Sequence, residues 1–143
     1  MKNLRLLFLL LACVALPTIA QGKPTLAVLG DSYSTFAGFI PVDNACWYNN
    51  PADLKRTDVT KVEQTWWWQV VKAGGSKLGT IESYSSATIC NTGYRDEDYS
   101  DRSFVTRCTN LGNPDIILIC GATNDSWANV PIGEYKYSGW KRA

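Results

Sequence analysis

The run Ile116-Ile117-Leu118-Ile119-Cys120 follows Asn113-Pro114-Asp115 and stops at Gly121, and no other feature constrains the fold as much. A run this short and apolar, without polar alternation, is the pattern of a strand covered on both faces. Thr25-Leu26-Ala27-Val28-Leu29, ending at Gly30-Asp31, repeats it, and Ile81 to Ser85 reads as a third, shorter strand. Helical patterns lie between them. Thr60 and Glu63 form a T-x-x-E capping box, Gly74-Gly75 supplies a stop, and Val62, Trp66, Trp67, Val70, Val71 and Ala73 share one half of the intervening helix. Phe104, Val105, Cys108 and Leu111 recur at helical spacing from about Asp101 until Gly112. Strands alternating with helices predict right-handed crossovers and a parallel sheet covered on both faces.

Three successive tryptophans invite a sugar-stacking reading. Periodicity puts Trp66 and Trp67 in the core and leaves Trp68 on the opposite side, near Lys61 and Lys72, either as a recognition residue or packed under a neighbouring loop. Residues 41–59 are loop-like, with Pro41, Asn44, Asn49, Asn50 and Pro51.

The first residues, MKNLRLLFLLLACVALPTIAQG, have the build of an export signal: Lys2 and Arg5, an apolar stretch from Leu6 to Leu16, and the small residue Ala20 at the cleavage position. Pro17 interrupts that stretch short of the roughly 20 residues a membrane span needs. The expectation is a signal peptide over residues 1–20, a single domain over 21–143, and a secreted or periplasmic protein with no transmembrane span in the mature chain. Anchoring through a lipobox at Cys13 ranks lower, because Val14 to Ala20 would make an apolar mature start. Removing Lys2 and Arg5 turns the whole-chain charge of +1 into −1. No basic run of five or more is present, so nucleic acid is not an expected partner. The mature chain keeps Cys46, Cys90, Cys108 and Cys120. Cys108 and Cys120 sit on apolar positions suited to free thiols, and Cys46 and Cys90, in loops, are the expected disulfide.

In parallel sheets ligands collect beyond the carboxyl ends of the strands. All three ends are polar here: Gly30-Asp31-Ser32-Tyr33-Ser34, Ser85-Ser86-Ala87-Thr88 and Gly121-Ala122-Thr123-Asn124-Asp125. Such loops, meeting at one edge, can combine a nucleophilic hydroxyl with donors for a developing oxyanion, the set that acyl transfer requires. The chain contains no histidine at all, which excludes an HExxH zinc site, a Cys2His2 finger and a Ser-His-Asp triad completed within it.

On these blocks the chain resembles the SGNH (GDSL-type) serine hydrolases over roughly residues 25–140. Ser32 matches the family's nucleophile and Asn124 its oxyanion asparagine. Within Ser83 to Tyr94, Ser86 matches an oxyanion position that is usually glycine, and Ala122 replaces another frequent glycine. The resemblance implies a flavodoxin-like three-layer α/β sandwich, here stopping after about three strands. It also implies an oxyanion hole made by the Ser32 N–H, the Ser86 N–H and the Asn124 side chain, and neither a metal nor an organic cofactor. The family's closing Asp-x-x-His block is absent. The expected function is therefore that of an exported ester hydrolase present as an incomplete chain, nearly inactive alone. Its substrate would be a small ester or, given export and the aromatic pair Trp47-Tyr48, an O-acylated carbohydrate. The alternative is a non-catalytic glycan-binding or interaction remnant. A flavodoxin-like nucleotide binder is weaker, because the loop after the first strand has no glycine cluster for phosphate.

Overall fold

The computed structural model describes residues 22–132; the expected export signal, Cys13 and the last eleven residues lie outside them. Three parallel strands form one sheet in the order β2-β1-β3, where β1 is Thr25–Gly30, β2 Lys77–Ser83 and β3 Ile116–Cys120. The central strand is the one whose apolar run is truly covered on both faces. Side chains alternate across a strand, and in β1 Leu26 and Val28 enter one core while Ala27 and Leu29 enter the other.

Helix α1, Trp66–Gly74, covers the first face with Trp67 and Val71, which pack with Leu26, Val28, Phe36 and Ile81. It is shorter than the capping box predicts. Thr65 is extended at φ −72°, ψ 143°, and separates α1 from a single 3-10 turn, Val62–Gln64. The cap is made by Gln64 instead of the Thr60–Glu63 pair: its side-chain oxygen accepts the N–H groups of Thr60 (2.9 Å) and Lys61 (2.8 Å). Gly75, left-handed at φ 62°, closes the helix. Val70 and Ala73 are exposed instead of buried. Trp68 packs edge-on to Phe39, with ring centroids 6.2 Å apart, and so lies under a loop.

The second face is covered by α2, Phe104–Arg107, continued by a 3-10 turn over Cys108–Asn110. It starts three residues later than expected because Ser103 is its cap, accepting the Thr106 N–H at 3.2 Å. Phe104 and Leu111 are buried with Ala27, Leu29 and Ala87, whereas Val105 and Cys108 are exposed.

Two strands depart from their expected form. The second begins four residues early, at Lys77; its first half is exposed or only partly buried, and Gly79 sits where a Cβ would press on Thr25 and the Leu26 carbonyl, beside a register shift in the pairing. The third, expected to be the most buried, has Ile117 49% and Ile119 67% exposed. Among the described residues it pairs only with β1, and its Ile117–Ile119 face is left largely uncovered. Among the described residues no helix is long and apolar enough to cross a membrane.

Candidate active site

The Gly30-Asp31-Ser32 corner is built by close packing. A Cβ at Gly30 would overlap the Ser34 side chain and come within 2.8 Å of Ser83 Oγ, so only glycine lets the chain fold back over the end of β1. Ser32 then opens a 3-10 turn, Ser32–Ser34, capped by Asp31, whose carboxylate accepts the Tyr33 N–H at 3.1 Å. The indole N–H groups of Trp66 and Trp67 donate to Ser34 Oγ (3.2 Å) and Ser34 O (3.0 Å), so two of the three tryptophans fix this turn as well as fill the core.

The second loop brings its backbone to the same hydroxyl. The Ser86 N–H donates to Ser32 Oγ at 3.0 Å, and Ser85 Oγ lies 3.1 Å from Ser32 Oγ. Ser86 is left-handed at φ 69°, a conformation that favours glycine, and the serine side chain has not prevented it. The third loop begins with Ala122, also left-handed at φ 80°, and turns into a short helix α3, Thr123–Trp127, instead of remaining a loop. Asn124 Nδ2 donates to the Ala87 carbonyl at 2.9 Å, and both Asp125 carboxylate oxygens accept the Ile89 N–H, at 2.9 and 3.0 Å. Consecutive residues of α3 thus tie the second loop to the third. A primary amide has two N–H groups, and the bond to Ala87 uses one of those of Asn124.

Ser32, Ser86 and Asn124 line one cavity of about 730 Å³. Its wall is aromatic, with Tyr33, Trp47, Tyr94, Tyr99 and Trp127. Of the expected aromatic pair only Trp47 faces it; Tyr48 packs against the core. Tyr94, Tyr99 and Trp127 carry no periodic signal and were not foreseen. Cys46 also lines the cavity, and burial pushes its thiol up, away from the thiolate form. The expected Cys46–Cys90 disulfide is not formed. Both are free, and each S–H donates to a carbonyl two residues on, Tyr48 O at 3.2 Å and Thr92 O at 3.6 Å.

Two buried charges support the site from below. Asp31 is 1% exposed, and burial, reinforced by Asp125, pushes its carboxyl above the usual carboxylate range; its second oxygen has no partner among the described residues. Arg107, 3% exposed and not foreseen, donates to the carbonyls of Gly30 (3.0 Å), Glu82 and Arg102 (2.7 Å). Burial pushes its guanidinium down, opposed by Glu82 4.0 Å away and by Asp31. It clamps together the two strand ends from which Ser32 and Ser86 emerge. No described group of histidine, cysteine or carboxylate side chains is arranged to hold a metal ion.

A parallel α/β sheet with a serine at the end of its central strand, facing a backbone donor from the neighbouring loop, has the layout of an acyl-transfer enzyme. The chain belongs to the GDSL-like lipase/acylhydrolase family, whose model matches residues 24–143. It is similar to the crystal structures of two candidate GDSL-like lipases, from Bacteroides ovatus ATCC 8483 (54% identity, TM-score 0.77) and Bacteroides uniformis ATCC 8492 (55% identity, TM-score 0.80). Each match covers 85% of this chain and 58% of the other, so the chain spans less than two thirds of their length. No curated protein matches it.

Proposed function

We propose that the protein is an exported ester hydrolase working through a serine acyl-enzyme, with its general base supplied from outside these 143 residues. The observation that carries the reading is the 3.0 Å contact from the Ser86 N–H to Ser32 Oγ inside an aromatic-walled cavity, within a GDSL-like chain. Ser32 Oγ attacks the ester carbonyl carbon and passes its proton to the base. The carbonyl oxygen becomes an oxyanion, held by the Ser32 and Ser86 N–H groups and the second N–H of Asn124. The C–O bond then breaks, the alcohol leaves with the proton, and water releases the acid from Ser32 by the same steps in reverse roles. The aromatic wall and the export signal favour an O-acylated carbohydrate over a lipid.

The test uses the protein encoded by the whole reading frame, labelled with a fluorophosphonate probe and mapped by peptide mass. Modification of Ser32, lost in Ser32→Ala, is expected; modification of another serine overturns the assignment. Asn124→Ala should cost about 2.7–4 kcal/mol of transition-state stabilisation, appearing in kcat with KM nearly unchanged. An unchanged kcat removes Asn124 from the mechanism. The exposed Tyr94 and Trp127 beside the cavity keep a second reading alive, a glycan-binding protein without catalysis. Glycan binding with no Ser32 labelling would select it.

A further inference from the structure

Among the described residues that line the cavity Arg56 is the one cation, and buried Asp31 is the one carboxylate. The Arg56 guanidinium lies over the Trp47 ring, 3.9 Å from its centroid. Neither ion pair among the described residues involves it, nor does any of their side-chain hydrogen bonds, although Asp53 and Asp58 belong to the same loop.

The platform is tied to the nucleophile turn. The Trp47 N–H donates to Thr35 Oγ1 at 2.8 Å, and Thr35 Oγ1 donates to the Ser32 carbonyl at 2.8 Å. Asn50 Nδ2 holds the Cys46 carbonyl at 3.0 Å, and two further turns run from Asn50 O to the Asp53 N–H and from Asp53 O to the Arg56 N–H. A guanidinium held over an indole by cation–π attraction has its rotamer restricted, and the Arg56 N–H fork has no partner among the described residues, so it is available to grip a carboxylate, sulfate or phosphate through two parallel bonds.

Resting on the hydrolase reading above, we propose that Arg56 on Trp47 is an anion-recognition subsite and that the preferred substrate is an ester carrying a negatively charged group. The anion pairs with the Arg56 fork while the ester carbonyl reaches Ser32. Recognition of this kind selects among esters without entering the chemistry.

The experiment compares charged esters with neutral amides of the same shape, binding being followed by tryptophan fluorescence and ligand-observed NMR on the whole chain. Monomethyl succinate against methyl succinamate places the charge on the acyl side; acetoxyacetate against acetoxyacetamide places it on the alcohol side. At low salt the anion of at least one pair should bind about fivefold more tightly, a typical scale for one partly exposed charge-assisted contact. The preference should shrink in 0.5 M salt, roughly threefold above physiological ionic strength. It should fall in Arg56→Lys, which keeps the charge but loses the fork, and vanish in Arg56→Gln. Equal affinities within both pairs, or a preference that survives Arg56→Gln, overturns the subsite. Fluorophosphonate labelling of Ser32 is measured separately, in the protein encoded by the whole reading frame: labelling without charge preference sinks the subsite alone, whereas absence of labelling sinks the hydrolase reading.

Discussion

Replacing Arg107 by methionine should do more damage than any surface change of similar size. Methionine fills most of the space but leaves the Gly30, Glu82 and Arg102 carbonyls without their shared donor. It also strands the Glu82 side chain, 4% exposed, with Asn44 Nδ2 at 3.2 Å as its remaining partner. Removing one member of a buried charged pair costs about 3–5 kcal/mol. Solvent does little to reduce this, because Arg107 is only 3% exposed. Against the roughly 5–15 kcal/mol by which domains are stable, that is a large share. Urea unfolding followed by circular dichroism gives the number directly. The double variant Arg107→Met/Glu82→Gln should recover at least about 1 kcal/mol, because the stranded charge is gone. Arg107→Lys should stay well below wild type, since one ammonium cannot serve three carbonyls on three segments. A loss under about 1 kcal/mol in Arg107→Met, with no recovery in the double variant, would refute the clamp.

Ser86→Gly and Ala122→Gly should each stabilise the protein by about 0.5–1 kcal/mol. The left-handed conformation costs an L-residue roughly 1–2 kcal/mol, and the freer unfolded glycine chain takes part of the gain back; a lower melting temperature in both would contradict the strain. Asp31 carries a carboxyl raised by burial, so the native state binds a proton more tightly than the unfolded chain does. Its stability contribution is full at low pH and is lost as pH rises from about 4 through the raised native pKa. Asp31→Asn should flatten that decline in melting temperature between pH 4 and 7, and a decline as steep as in wild type would assign it to other groups.

What the sequence disclosed and what it hid follow from different physics. The strand ends were legible because apolar runs mark β1 and β3, and parallel topology sends their following loops to one edge. That the loops carrying Ser32, Ser86 and Asn124 line one cavity is a consequence of that topology, whereas the choice of those three residues within the loops came from the family resemblance. Arg107 was hidden by its type, since an arginine in a short helix is ordinarily solvated. Yet it lies three residues after Phe104 and four before Leu111, on the same face as both. A charge on the buried stripe of a helix must find partners, and the carbonyls at the ends of β1 and β2 are those partners. The strained residues were hidden for the opposite reason: nothing in the letters Ser86 or Ala122 announces a positive φ. Only comparison with positions where glycine is usual hinted at it. Burial of β3 misled because an apolar run records a need for cover and not its source. Among the described residues Ile117 and Ile119 are left 49% and 67% exposed, in a chain that spans 58% of its structural relatives. The part of the site that does lie within these residues is held by bonds between loops and strand ends: Arg107 to Gly30 and Glu82, Asn124 to Ala87, and Asp125 to Ile89. The donors facing Ser32 are therefore set by contacts that do not involve the outer face of β3.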